Sequence, residues 1–195
     1  HPAMRRRSYA DSLPRGLGFF RSGAELHWES PFGPRDALAD RQYTLASADG
    51  RHIRRFVDAS YLVEPAEGVW LLSIDGNVFV PRDGEFALTE EEFDDSTDAG
   101  YNALVAHRPY MLDWIADVSR RAARLGKRLI SFAHYPAVDP FDGTFDDEQR
   151  LFGRTIFVRR TPSRATAALL AKAGLRLHFS GHLHVEGVTR RQRGE

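Results

Sequence analysis

Gly174-Leu175-Arg176-Leu177-His178-Phe179-Ser180-Gly181-His182-Leu183-His184-Val185 is the stretch on which the reading of the fold turns. A short apolar run after a helix-stopping glycine reads as a buried strand, and Gly181 to His184 reads as the turn that leaves its end. Two imidazoles then emerge from a rigid element. A loop backbone can turn residues i and i+2 towards one centre, as a divalent metal requires. A bare His-x-His is equally ordinary loop chemistry. A second strand pattern ending in histidine, Leu129-Ile130-Ser131-Phe132-Ala133-His134-Tyr135-Pro136, weighs against that plainer reading.

Between the two strands, Thr161 as N-cap and Pro162 at the first helical position predict a helix through Ala165, Leu169, Leu170 and Ala173, stopped by Gly174. Upstream, Met111, Trp114, Ile115, Val118, Ala122 and Leu125 recur at three- and four-residue steps before Gly126, which predicts an amphipathic helix with one face on a sheet. Two hairpins precede it. Tyr43 to Ser47 and Ile53 to Val57 flank Ala48-Asp49-Gly50, and Ser60 to Glu64 and Val69 to Asp75 flank a loop with Pro65 and Gly68. The run from Val69 is nearly all apolar, as expected of a central strand covered on both faces. Its end, Asp75-Gly76-Asn77, reads as turn chemistry first and as a contributor to a site second.

Strand, helix, strand, helix, strand thus runs from Val69 to Phe179. If the strands are parallel neighbours, their carboxyl ends share one edge, where open α/β sheets place their sites. His134, His182 and His184 would converge there. His178 lies two residues before Ser180, inside the sheet, and reads as a satisfied core histidine. His27, His52 and His107 stand alone and read as solvated or packing residues. The acidic run from Asp83 to Asp98, and Asp139, Asp142, Asp146 and Asp147 after the His-x-Pro turn, lack a calcium-loop spacing and read as solvated connections. Residues 1 to 40 show no sustained periodicity, and Phe19, Phe20, Leu26 and Trp28 suggest an irregular lobe.

A chain of 195 residues fits one domain, and 42% hydrophobic with 28% charged residues is ordinary globular composition. The formal charge of zero gives no bulk attraction to nucleic acid or membrane. Arg5 to Arg7 and Arg190 to Arg193 are short terminal runs without interleaved aromatic residues, so no nucleic-acid partner is predicted. The absence of cysteine removes disulfides and thiolate ligands, and leaves histidine, carboxylate, amide and water for any metal. No stretch has the ~20 apolar residues of a membrane span, so a soluble, cytoplasmic chain is expected. The lack of methionine at position 1 leaves room for a preceding segment.

Phe132-Ala133-His134-Tyr135-Pro136, followed later by Ser180-Gly181-His182-Leu183-His184, resembles the last two motifs of the calcineurin-like metallophosphoesterases. The likeness covers roughly residues 58 to 188, including the strand Val69 to Asp75 and the helix around Trp114. It implies an α/β fold, a layered β-sandwich flanked by helices (αββα), here incomplete. It also implies two divalent ions (manganese, iron or zinc) and a phosphate-ester substrate. By the same resemblance His134 and His182 would bind one ion and His184 the other. The family's earlier motifs, Asp-x-His, Gly-Asp-x-x-Asp and Gly-Asn-His, are not found, so no catalytic residue is assigned.

Late motifs intact together and early ones missing together point to the C-terminal portion of a longer phosphoesterase, which alone would hold one ion weakly or none. Residues 1–195 are then one partial domain, with 1–57 a lobe and hairpin. The alternative is an inactive metal-binding or interaction module on the same scaffold. An amidohydrolase-type site also uses His-x-His, but after the first strand of a barrel, whereas this pair follows the last strand.

Overall fold

The computed structural model describes residues 23–34, 37–84, 93, 100–140, 148–151, 154–157, 161–183 and 186–190. In chain order the described elements are β1 (His27–Glu29), a 3-10 turn (Leu38–Arg41), β2 (Gln42–Ala46), β3 (Ile53–Val57), β4 (Tyr61–Ala66) and β5 (Val69–Ser73). There follow α1 (Tyr101–His107), α2 (Tyr110–Arg124), β6 (Arg128–Ala133), β7 (Glu148–Leu151), β8 (Arg154–Phe157), α3 (Arg164–Lys172) and β9 (His178–Ser180). The chain is mixed α/β. A five-stranded sheet in the order β1-β4-β5-β6-β9 is accompanied by two-stranded pairs β2-β3 and β7-β8.

The apolar run from Val69 becomes the middle strand, as its sequence predicts. It pairs antiparallel with β4, Leu72 opposite Leu62, and parallel with β6, Leu71 opposite Ile130. The antiparallel register shifts between Val63 and Ala66, around Pro65, whose missing N–H cannot serve a ladder. β6 pairs parallel with β9, Phe132 opposite Phe179. All three parallel strands therefore end at one edge of the sheet.

Coverage of the two faces differs from expectation. Trp70 and Leu72 are buried beneath Met111, Trp114, Ile115 and Val118 of α2, in one core with Leu62 and Ile74. By strand alternation the opposite face carries Leu71, Ile130, Phe132, Leu177 and Phe179. There Leu177 is 49% exposed and Phe179 59% exposed. The central strand is thus sealed on its helix side and only half-buried on the other.

α1 and α2 are separated at Arg108, whose φ of −131° and ψ of 60° are outside the helical region. The following Pro109 explains the break, because its ring disfavours the α conformation in the residue before it. α3 begins two residues later than Thr161 predicts. Ser163 is the N-cap, its Oγ accepting the Thr166 N–H at 3.1 Å, so Pro162 precedes the helix instead of opening it. The Ser163 N–H donates to Asn102 Oδ1 at 2.9 Å and fastens this start to α1.

β1 corrects the expectation of an irregular lobe over residues 1 to 40: Trp28 sits opposite Val63 in an added edge strand. Phe19 and Phe20 lie outside the described residues. β7 and β8 fall in a region where no element is expected from sequence. Asp142, Asp146, Asp147 and most of the acidic run from Asp83 to Asp98 also lie outside the described residues. Among the described residues no helix is long and apolar enough to cross a membrane.

Glu64 ties the β4–β5 hairpin to the start of β6. Its carboxylate accepts from Lys127 Nζ at 2.7 Å, Trp70 Nε1 at 2.9 Å and the Gly68 N–H at 2.9 Å. Lys127, then Trp70, hold its pKa down from 4.5 to about 2. A depressed carboxylate pKa gives stability that is present above the unfolded-state value and is lost as pH falls through the folded-state value. Urea denaturation should therefore lose stability between pH 4.5 and about 2, and Glu64→Gln should flatten that part of the profile. An unchanged slope in the variant would refute this role for Glu64.

Candidate metal centre

β6 and β9 deliver the site. Both run in the same direction, side by side, so the residues just beyond their ends leave the sheet together. The Gly181 N–H donates to the His134 carbonyl at 3.0 Å and joins the two exits. The next residue, His182, has a φ of 67°, left-handed and rare for a non-glycine side chain. The Leu183 N–H donates to the Gly181 carbonyl at 2.8 Å, closing a three-residue turn with His182 at its centre. Strain of this kind collects where a side chain must be aimed.

That turn aims His182 at His134. His182 Nδ1 lies 3.1 Å from His134 Nε2, and the ring centroids are 5.0 Å apart at an interplanar angle of 75°. His134 is exposed and His182 half-buried. Metal–nitrogen bonds of ~2.05 Å, at angles between octahedral and tetrahedral, separate neighbouring ligand nitrogens by about 2.9 to 3.4 Å. The observed spacing falls within this range, so the two imidazoles fit one divalent ion. With one nitrogen protonated, the same distance serves a hydrogen bond between the rings.

Two of the three histidines predicted as ligands are therefore brought together, and His184 lies outside the described residues. Among the described residues no group of three or more histidine, aspartate or glutamate side chains is gathered around a point that could hold an ion.

His178 takes the structural place assigned to it. Ser131 Oγ stands 3.0 Å from its Nδ1, the Tyr135 carbonyl 3.2 Å from its Nε2, and Tyr101 Oη 3.4 Å from that same nitrogen. Burial pushes its pKa down. His27 stacks on Trp70 at 5.7 Å and bonds to Glu29, a packing role.

Asp75 and Asn77 also take the structural reading. The Asp75 carboxylate accepts from the Ala59 N–H, the Asn77 N–H and Asn77 Nδ2 at 3.0 to 3.1 Å. Arg108, fully buried, donates through Nη2 to the Asp75 carbonyl and places Nη1 3.1 Å from Asp58 Oδ1. Tyr110 Oη donates to the other Asp58 oxygen at 2.8 Å. Burial pushes the Asp75 carboxyl above the usual range, against the opposing pull of Arg108.

Sequence reading gave no role to Tyr135, Gly76, Gly100 or Arg108. Tyr135 is visible in the sequence only as the middle of His-Tyr-Pro and Gly76 only as part of a turn, and Gly100 carries no reading. Their meeting depends on the sheet order, which no local pattern encodes.

No known family model matches the chain, and no curated protein matches it.

Proposed function

We propose that this chain carries the C-terminal part of a metal-dependent phosphoesterase centre, acting on a phosphate mono- or diester. The observation that carries the reading is the 3.1 Å approach of His182 Nδ1 to His134 Nε2 at the ends of adjacent parallel strands. Neutral imidazoles suit such a centre because they hold manganese, iron or zinc without adding charge that repels a phosphate. His134 and His182 would hold one ion and His184 a second. When bound, the ions supply a water of lowered pKa and a Lewis-acid clamp on the phosphoryl oxygens. The chain's own part is orientation, by the parallel strand ends and the left-handed turn at His182. On this reading the five-stranded sheet and its helices belong to an αββα sandwich whose second layer would cover Leu71, Ile130 and Phe132.

A second reading, an inactive metal-binding module on the same scaffold, draws on the absence of a third ligating side chain beside the pair among the described residues. One experiment tests both. The chain is titrated with Mn²⁺ and Zn²⁺, and the loaded protein is assayed on p-nitrophenyl phosphate and bis(p-nitrophenyl) phosphate. Uptake should weaken roughly 100-fold in His134→Ala and in His182→Ala, at least matching the loss of an outer-shell partner. Uptake with hydrolysis supports the enzyme and overturns the inactive module, uptake without hydrolysis is the result for a partial centre and for the module alike, and uptake indifferent to both substitutions overturns both.

A further inference from the structure

We propose that Tyr135 is the positioning residue of the histidine pair: its ring, gripped between Gly76 and Gly100, fixes where the two imidazoles stand. The inference rests on the metal-centre reading for its purpose, though not for its geometry.

Tyr135 follows His134 directly yet is 4% exposed. A Cβ added to Gly76 would stand 2.8 Å from Tyr135 Cδ2, and one added to Gly100 would stand 2.9 Å from Cδ1. Gly76 therefore closes on the Cδ2 side of the ring and Gly100 on its Cγ–Cδ1 side, at distances that leave room for hydrogen only. They are tied to each other, the Gly100 N–H donating to the Gly76 carbonyl at 2.9 Å. Gly76 is anchored in turn, because it follows Asp75, whose carbonyl receives the buried Arg108 guanidinium. The clamp thus stands on a fully buried ionic group.

The same ring meets both imidazoles. Its centroid is 5.0 Å from that of His134 at 82° and 4.7 Å from that of His182 at 53°. With 5.0 Å between the imidazoles, the three rings form a nearly equilateral triangle. Edge-on and tilted contacts of this kind are favourable and directional. If the tyrosine ring is held, neither imidazole can turn away from the other without losing contact with it. His178 Nε2, 3.2 Å from the Tyr135 carbonyl, supports the backbone below.

Removing the wedge should loosen the pair while the strands that carry it remain. In Tyr135→Leu the affinity for Co²⁺ should fall about 10- to 100-fold, the range for groups that orient metal ligands, and the visible d–d spectrum of the bound ion should change. Tyr135→Phe keeps the ring and should stay within about threefold of the parent with the parent spectrum. Gly76→Ala, at a position of ordinary backbone conformation, should push the ring and weaken Co²⁺ about tenfold even if Tyr135→Leu does not fold.

Parent-like affinity and spectrum in both Tyr135→Leu and Gly76→Ala would overturn the proposal. A metal-free readout separates this from the function itself. Nuclear Overhauser contacts between the His134 and His182 rings should weaken in Tyr135→Leu or Gly76→Ala and persist in Tyr135→Phe. If the parent takes up no Co²⁺ through His182, the metal reading fails, and the wedge is decided by those contacts alone: their persistence in Gly76→Ala refutes it.

Discussion

Arg108→Leu should destabilise the chain by about 3–5 kcal/mol, read as a fall in the urea midpoint at an unchanged m-value. The size follows from what is left behind. Asp58 and Asp75 are buried, and the arginine is the cation that faces both, at 3.1 Å and 4.0 Å. Asp58 would retain the Ser60 N–H and the Tyr110 hydroxyl, and Asp75 would retain its three N–H donors, but among the described residues neither would keep an ion-pair partner.

Arg108→Lys should fall between parent and leucine, since an ammonium cannot reach the Asp75 carbonyl and the Asp58 carboxylate in the fork geometry of a guanidinium. Adding Asp58→Asn and Asp75→Asn to Arg108→Leu should recover most of the loss, because isolated buried charge, more than the missing bond, carries the cost. A loss below about 1 kcal/mol in Arg108→Leu, the level of an exposed ion pair, would show that water reaches the cluster.

Gly100→Ala should cost a comparable amount by a different route. Gly100 has a φ of 100° and a ψ of −156°, a region open in practice to glycine alone, and forcing alanine there costs about 1–3 kcal/mol. The new methyl would also meet Tyr135 at 2.9 Å, adding about 1–3 kcal/mol of overpacking. The two components separate in a double variant. Gly100→Ala with Tyr135→Ala, which removes the Cγ and Cδ1 that the methyl meets at 2.9 Å, should regain most of the steric part and keep the backbone part, so the pair is non-additive in denaturant midpoints. Strict additivity would mean that ring and methyl do not meet.

Local pattern made much of this fold legible. The hairpins β2–β3 and β4–β5, the helix α2 and the strand β6 appear where alternation, apolar runs and three- and four-residue steps place them, because each signal is contained within its own element. The parallel neighbourhood of β5, β6 and β9 followed from the alternation of strand and helix. β1 was missed because three residues of His-Trp-Glu are too few for a period, and its pairing partner lies far along the chain. The start of α3 was misplaced because Ser163, not Thr161, offers the oxygen that meets the Thr166 N–H, a choice that Pro162 alone does not reveal.

In the candidate centre, His134 and His182 were readable as strand-end histidines. Tyr135 was not, since its role comes from two glycines that approach it from the end of β5 and the start of α1. Arg108 was equally hidden. An arginine before a proline reads as a helix boundary, and only the packed structure places it between two aspartates.

The two facing imidazoles are 48 residues apart in the chain. Bringing them together in an unfolded polymer carries a closure penalty of about 3.4 kcal/mol from its length-dependent part alone. The pair is thus a property of the native state, scarcely present before β9 has docked on β6. An ion chelated by both rings is consequently a ligand of the folded chain and of almost nothing else. It would act as a thermodynamic clasp, adding about 2.7 kcal/mol of stability at a hundred times its dissociation constant.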